Sequence, residues 1–235
     1  MKRLLTEYTV RHPKIRVPLE LAIVADMHSR EYRSELHRMR RMDAILIVGD
    51  LVNRHQADDY RLALDFLREA PDCAPTFYAI GNHERRFPAY DDYWPQVEQS
   101  RVRVLDNTFV HFGGIVLGGL SSRAPGEVDA GVVKAMAEED GFRLLMCHHP
   151  EYYAPYVKGK GIDLTVAGHA HGGQIQVFGH GIYAPGQWFL PRLTDGFYDD
   201  RHLLVSRGMN SSNRYPRWGN PCELVILHLL PEEKR

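Results

Sequence analysis

The sequence predicts an α/β fold in which two β-sheets share one domain, residues 1–235. Three observations predict it. Five short apolar runs read as strands buried on both faces, helical patterns separate the first three runs, and the second half turns to short strands punctuated by glycine.

The first three runs are LELAIVA (19–25), AILIV (44–48) and TFYAI (76–80). Between the first two lies SELHRMRRM (34–42), with Ser34 placed as an N-cap and Leu36, Met39 and Met42 near one face. Between the second and third lies ADDYRLALDFLREA (57–70). Its Leu62, Phe66 and Ala70 recur at fourfold spacing, and Pro71 marks its end. Strand, helix, strand, helix, strand implies a parallel sheet built from right-handed crossovers. FVHFGGIVLGGL (109–120) reads as two strands about Gly113 and Gly114, residues 129–139 as a helix, and FRLLM (142–146) and IDLTVA (162–167) as further buried strands. Beyond residue 172, GQIQVF, HGIYAP, HLLVSRG and CELVILHLL (222–230) read as turn-rich strands, and 185–200 and 208–221 as long ordered loops.

Composition narrows the function classes. A hydrophobic content of 44% is enough to close a substantial core. The formal net charge of −1 lacks the basic excess that duplex nucleic acid demands, so duplex binding is not expected. Three cysteines, Cys73, Cys147 and Cys222, have no paired spacing and argue against a disulfide framework. The opening MKRLLTEYTVRHPKIRVP lacks the apolar stretch of a signal peptide, and no run approaches the ~18 residues that span a bilayer. A cytoplasmic protein is expected, with peripheral contact to the inner membrane compatible with that placement.

Histidine is abundant, at thirteen residues, and unevenly spread. Each of the five apolar runs ends on Asp, Asn or His: Asp26 and His28, then Asp50, then Asn82 and His83, then His148 and His149, then His169 and His171. Ligands of open α/β sheets bind at the carboxyl ends of strands, so these residues should converge on one rim. Their oxygen and imidazole donors, without thiolate, suit Mn, Fe or Zn rather than Ca or Mg alone. Seven of these groups, Asp26, His28, Asp50, Asn82, His148, His169 and His171, exceed the needs of one ion with an open position. Two divalent ions sharing a carboxylate, about 3.5–4 Å apart, are the standard arrangement for phosphoester hydrolysis. Residues i and i+2 of an extended segment project to one side, which would face Asp26 with His28, and His169 with His171, toward one region. Gly168, Gly172 and Gly173 would let the backbone turn and approach closely.

The order of these pieces, DMH (26–28), GDLVN (49–53), GNHE (81–84), HHP (148–150) and GHAH (168–171), resembles the calcineurin-like metallophosphoesterase superfamily. The continuation GHAHGGQ, with VSRGMN (205–210) and a closing PCELVILHL, is similar to a branch of small bacterial phosphohydrolases, often membrane-associated, that includes some UDP-diacylglucosamine pyrophosphatases. The resemblance implies two mixed β-sheets packed face to face and flanked by helices, a four-layer sandwich. It implies Asp26, His28 and His171 on one metal, Asn82, His148 and His169 on the other, and Asp50 bridging them. His83 would stand beside the leaving-group oxygen and not ligate. The chain departs from the pattern at Asn53, where the family often has aspartate, and at Ser29, Arg30 and Glu31, where a downstream glycine is usual.

The implied reaction is direct hydrolysis by metal-activated hydroxide, with His83 as proton donor and Glu84 or another carboxylate orienting its ring. His148 is preferred to its neighbour His149 as ligand, because adjacent strand residues point opposite ways. Arg85 and Arg86 are candidate phosphate clamps. Asn210 and Arg217 lie in a late loop that could cover the site. His55, His111 and His180 read as surface or core residues, Cys147 as a buried strand residue, and Tyr152 and Tyr153 as packing residues. The expected substrate is a small phosphomonoester, phosphodiester or pyrophosphate, nucleotide-diphosphate or lipid-linked. The alternatives are a non-catalytic scaffold of the same fold and, within enzymes, a nuclease of the superfamily.

Overall fold

The computed structural model describes residues 3–123, 127–211 and 217–233. Its strands are β1 (Leu4–His12), β2 (Leu19–Val24), β3 (Ala44–Val48), β4 (Thr76–Ala79), β5 (Arg103–Val104), β6 (Thr108–Phe112), β7 (Ile115–Leu120), β8 (Phe142–Cys147), β9 (Leu164–Ala167), β10 (Gln176–Val177), β11 (His180–Gly181), β12 (Tyr183–Ala184), β13 (Trp188–Phe189), β14 (Gly196–Tyr198), β15 (Leu203–Val205) and β16 (Glu223–Pro231). The helices are α1 (Arg33–Met39), α2 (Arg61–Glu69), α3 (Asn82–Arg85), α4 (Tyr90–Glu98) and α5 (Gly131–Ala137).

Two six-stranded sheets carry the fold, ordered β1-β16-β2-β3-β4-β5 and β14-β15-β9-β8-β7-β6. In the first, β2, β3, β4 and β5 run parallel as the strand–helix alternation predicts, and β16 joins β2 antiparallel. In the second, β15, β9, β8 and β7 run parallel between antiparallel edges. Alternation along the strands explains the layering. Leu21, Ile23, Leu46, Val48, Leu144 and Met146 meet between the sheets. Their neighbours Ala22, Val24, Ile45 and Ile47 pack with residues of α1, α2 and α4. Leu145 and Cys147 pack with Val132, Val133 and Met136 of α5. Three apolar interiors therefore separate four layers, and continuous apolar runs are what strands covered on both faces require.

Several elements differ from expectation for physical reasons. Ser34 is no cap: α1 begins at Arg33, and Tyr32, packed edge-on against Phe66, anchors its start instead. Pro71 does not stop the chain's winding; it sits in a short 3₁₀ turn, Ala70–Asp72, directly after α2. The supposed loop 185–200 contains β13 and β14. Of the supposed loop 208–221, residues 212–216 lie outside the described residues. Strand β1 and helix α4 were not anticipated. Among the described residues, no helix is long and apolar enough to cross a membrane.

Candidate metal centre

Strands β2, β3, β8 and β9 and the start of α3 deliver their polar residues to one end of the two-sheet stack. Asp26 Oδ1 lies 3.8 Å from His28 Nε2 and 3.5 Å from His171 Nε2, and those two nitrogens are 3.3 Å apart. Asp50 Oδ2 lies 3.1 Å from His148 Nε2 and 3.8 Å from His83 Nε2. His148 Nε2 is also 4.0 Å from Asp26 Oδ1, which joins the two groups. Asp26, Asp50 and His148 offer ligand atoms within 4.8 Å of one another, as do Asp26, His28 and His171. The His169 ring centroid is 5.1 Å from that of His148. Asn82 lines the groove that opens beside the cluster.

The backbone that achieves this is not extended. Asp26, His28, Asp50, His169 and His171 all have φ between 50° and 67°. The i, i+2 pairs therefore share a side because left-handed turns place them there, which corrects the strand-periodicity expectation. Asp and His tolerate this region better than branched residues, but each such position costs on the order of 1–3 kcal/mol. The cost is carried by hydrogen bonds. The His169 N–H donates to both Asp26 oxygens (3.3 and 3.0 Å), and the His83 N–H donates to Asp50 Oδ1 (2.8 Å). The glycines contribute close approach: a Cβ at Gly208 would stand 2.7 Å from the Asp26 Cβ, and one at Gly168 2.7 Å from Asp26 Oδ2.

Ring tautomers show which nitrogens face the cluster. A carbonyl only accepts, so His148 donates from Nδ1 to Val48 O (2.8 Å) and His28 from Nδ1 to Val52 O (3.3 Å). On the neutral rings their Nε2 atoms are then lone pairs; on His148, whose pKa the contact with Asp50 raises, a cation would have to displace a proton from that atom. His171 has two options: it lends an Nε2 proton to His28, with Arg217 donating to its Nδ1 (3.1 Å), or it keeps the proton on Nδ1 against Asn210 O (3.3 Å). The second option turns two Nε2 lone pairs toward Asp26 and is the one a bound cation would require. His148 Nε2 and Asn82 Oδ1 are buried without a hydrogen-bond partner among the described residues. Orphaned lone pairs beside two buried carboxylates fit divalent cations.

Burial also sets the protonation states. It pushes the His28 pKa down to about 3, and those of His169 and His171 well below the usual imidazole range. Neutral rings are what ligation requires. Burial pushes Asp26 upward, although His148 opposes it. In the His148–Asp50 pair, burial opposes ionisation of both, but their contact overrides it: Asp50 is held low and His148 high.

Other sequence-level candidates separate. Glu84 does not orient His83. Its carboxylate is consumed by the backbone N–H groups of Asp50, Leu51, Val52 and Gly81, and the Arg54 N–H donates to His83 Nδ1 at 3.1 Å. The separation of His148 from His149 is only partial. His148 faces Asp50, whereas His149 stacks on His169 with centroids 4.1 Å apart, and the three histidines form a further group within 4.8 Å. Arg85 and Arg86 both line the groove, about 810 Å³ in volume, with Arg85 paired to Asp106 at 2.6 Å. Asn210 does not line it. Its Nδ2 donates to Met27 O and its Oδ1 accepts from Arg3, both at 3.0 Å, so it braces the Asp26 turn. Arg217 likewise supports from behind, donating to the carbonyls of Arg207 and Asn210 at 2.6 Å. His55, His111 and His180 are exposed, and Cys147 is buried in β8. Tyr153 packs, its hydroxyl on Asp199, whereas Tyr152 lines the groove and stacks on His149.

Glu151 was missed. Its Oε1 lies 3.2 Å from His149 Nδ1 and 3.7 Å from His169 Nε2, so it braces both rings at the groove. A glutamate directly after a proline carries no recognisable signal; only the fold brings it back beneath β9.

A sequence model of the calcineurin-like phosphoesterase family matches residues 19–173. An uncharacterized metallophosphoesterase of Helicobacter pylori is 26% identical over 94% of this chain, which spans 62% of that relative's length. The phosphodiesterase YaeI of Escherichia coli is 25% identical over 83% of this chain and 76% of its own. The solved structure of a 5'-nucleotidase precursor from Thermus thermophilus superposes with a TM-score of 0.52 at 15% identity, covering 91% of this chain and 54% of that one. That last likeness is one of fold.

Proposed function

From the premise that the chain belongs to the calcineurin-like phosphoesterase family, we propose that it hydrolyses a phosphoester or pyrophosphate bond at a dinuclear centre. Asp26, His28 and His171 would hold one cation and Asn82, His148 and His169 the other, with Asp50 shared between them. The observation that carries this reading is the meeting of Asp26, Asp50 and His148 within 4.8 Å, with further Nε2 atoms turned to the same space. Two buried carboxylates so close repel each other unless cations stand between them. Mixed imidazole and oxygen donors support Mn, Fe or Zn.

When bound, two such cations supply Lewis-acid charge for the phosphoryl oxygens and for an attacking water. The protein's part is geometry. Hydrogen bonds from the His83 and His169 amides hold the two carboxylates in place. His83 accepts from the Arg54 N–H at Nδ1, so its ring proton sits on Nε2. That N–H points toward the centre, 3.8 Å from Asp50 Oδ2, and is placed to hydrogen-bond the leaving oxygen as negative charge builds on it. The arginines lining the groove are placed to receive oxygens of a bound phosphate.

Substituting His83 with Ala is expected to keep metal content and lower turnover on substrates with poor leaving groups by ~10²–10⁴-fold. Substrates with a nitrophenol leaving group should lose far less. Loss of bound metal in this variant would contradict the non-ligand role.

The reading as a whole is tested on protein stripped of metal, then refilled with Mn, Fe or Zn. Refilling is expected to raise the melting temperature, because a ligand at 100 times its Kd stabilises by about 2.7 kcal/mol. It should also give turnover on at least one of a phosphomonoester, a phosphodiester and a pyrophosphate, with the diester tried first because a relative is named a phosphodiesterase. Full occupancy without turnover on any of them favours the non-catalytic scaffold.

A further inference from the structure

Arg3, just before β1, has no part in the chemistry above, yet its side chain is only 6% exposed. Arginine is seldom buried this far unless its donors are matched. Here they are. Nε donates to Met209 O at 2.7 Å, and one terminal nitrogen donates to Asn210 Oδ1 at 3.0 Å and to the Glu31 carbonyl. The other lies 3.8 Å from Glu35 Oε1. The guanidinium therefore joins residues 31–35, which follow His28, to residues 209–210. That second pair runs beside the Asp26 turn: the Met209 N–H donates to Ala25 O (2.8 Å) and the Asn210 N–H to Asp26 O (3.1 Å). Asn210 carries four polar groups. Its N–H, its Nδ2 on Met27 O and its carbonyl facing His171 Nδ1 all reach the Asp26 turn or His171. The fourth, Oδ1, is held by Arg3.

We propose that Arg3 is a positioning residue for one cation of the pair, the one assigned to Asp26, His28 and His171. The inference rests on the dinuclear reading. Among the described residues, the hydrogen-bond and ion-pair partners of Arg3 all lie on segments that carry or brace those three ligands, and none on the segments of Asn82 or His148. Without the guanidinium, the Asn210 amide is free to turn and gives up Met27 O. The main chain of 209–210 then loses a clamp, and with it His171 loses a fixed acceptor for its Nδ1 proton. Ligands left loose must be ordered when the ion binds, which weakens binding. Lysine is a poor substitute, because one ammonium cannot span Met209 O, Asn210 Oδ1 and Glu31 O as a planar fork does.

The experiment titrates the metal-stripped full chain with Mn²⁺ by calorimetry and locates the ions by anomalous scattering from crystals grown with Mn²⁺. In Arg3→Met, affinity at the Asp26–His28–His171 position should fall by on the order of 10–100-fold, while the other position stays close to the parent. Arg3→Lys keeps a cation beside Glu35, which guards against misfolding, and should weaken the same position less. Asn210→Ala should weaken it too. Adding Arg3→Met to Asn210→Ala should then cost less than Arg3→Met costs alone, because Arg3 acts through Asn210. The proposal is overturned if both Arg3 variants bind both ions like the parent, whatever happens to the melting temperature of the metal-free protein. It is overturned equally if the two positions weaken alike, if the ion lost is the one at Asn82, His148 and His169, or if the two substitutions add in full. A parent that binds no Mn²⁺ overturns the dinuclear reading along with it, whereas a parent that binds two leaves that reading standing when the Arg3 variants change nothing.

Discussion

Replacing Asp50 with Asn is expected to lower kcat/KM by on the order of 10³-fold or more, with less than the full complement of metal retained. Asn has nearly the shape of Asp, and its Oδ1 can still accept the His83 N–H that now donates at 2.8 Å. The fold should survive. What changes is the other terminus. Asp50 Oδ2 faces His148 Nε2 at 3.1 Å and His83 Nε2 at 3.8 Å. An amide there offers no anionic charge and points two N–H donors at the space proposed for the cations. The position is almost wholly buried, so water cannot substitute for the lost charge. Metal content by atomic emission and steady-state kinetics on refilled protein check it together. Unchanged stoichiometry with turnover within tenfold of the parent would remove Asp50 from the centre of the mechanism.

The second large effect is on stability. Substituting Glu84 with Ala is expected to cost about 3–5 kcal/mol, the range for removing one member of a buried charged network. Glu84 is fully buried and accepts four backbone N–H bonds between 2.7 and 3.2 Å. These donors belong to Gly81 and to residues 50–52, so one carboxylate ties the segment after β3 to the start of α3. Removing it leaves several buried N–H groups without partners, each expensive. For a domain of this size the melting temperature should fall by on the order of 10 °C. Glu84→Gln keeps the shape but turns an NH₂ toward some of the same donors, so it should lie between Ala and the parent. Calorimetry decides: a Gln variant more damaging than Ala, or an Ala variant melting within about 1 °C of the parent, would show that the carboxylate does not hold these turns.

Much of the fold was legible in apolar pattern, for a specific reason. β2, β3, β8 and β9 are covered on both faces, and such strands read as unbroken hydrophobic runs. β1 has one half-buried face at an edge, so its Tyr8 and Val10 alternate with exposed residues in a way easily taken for an irregular terminus. α4 carries Pro95 inside it, a residue that ordinarily argues against helix. The site was legible as an order of residues at strand ends, but not as a conformation. The left-handed turns at Asp26, His28, Asp50, His169 and His171 follow from contacts with distant segments, such as the Asp26 N–H to Gly49 O, that no local pattern encodes. The same holds for Glu84, three of whose four partners lie more than thirty residues upstream, and for Glu151, which meets His169 only after β9 has formed.

Strand β16 lies between β1 and β2 and pairs with β1 over nine residues, Leu4 opposite Glu223 through His12 opposite Pro231. On the ribosome, where chains grow at 5–20 residues per second, β1 waits roughly 10–40 s for the strand that pairs with it. Through that interval its Leu4 and Leu5 are an unsatisfied β-edge on a nascent chain, open to neighbouring nascent chains or to chaperones. A segment translated more than two hundred residues later is thus the one that retires the liability of β1 to aggregate, and synthesis interrupted between the two leaves that liability standing.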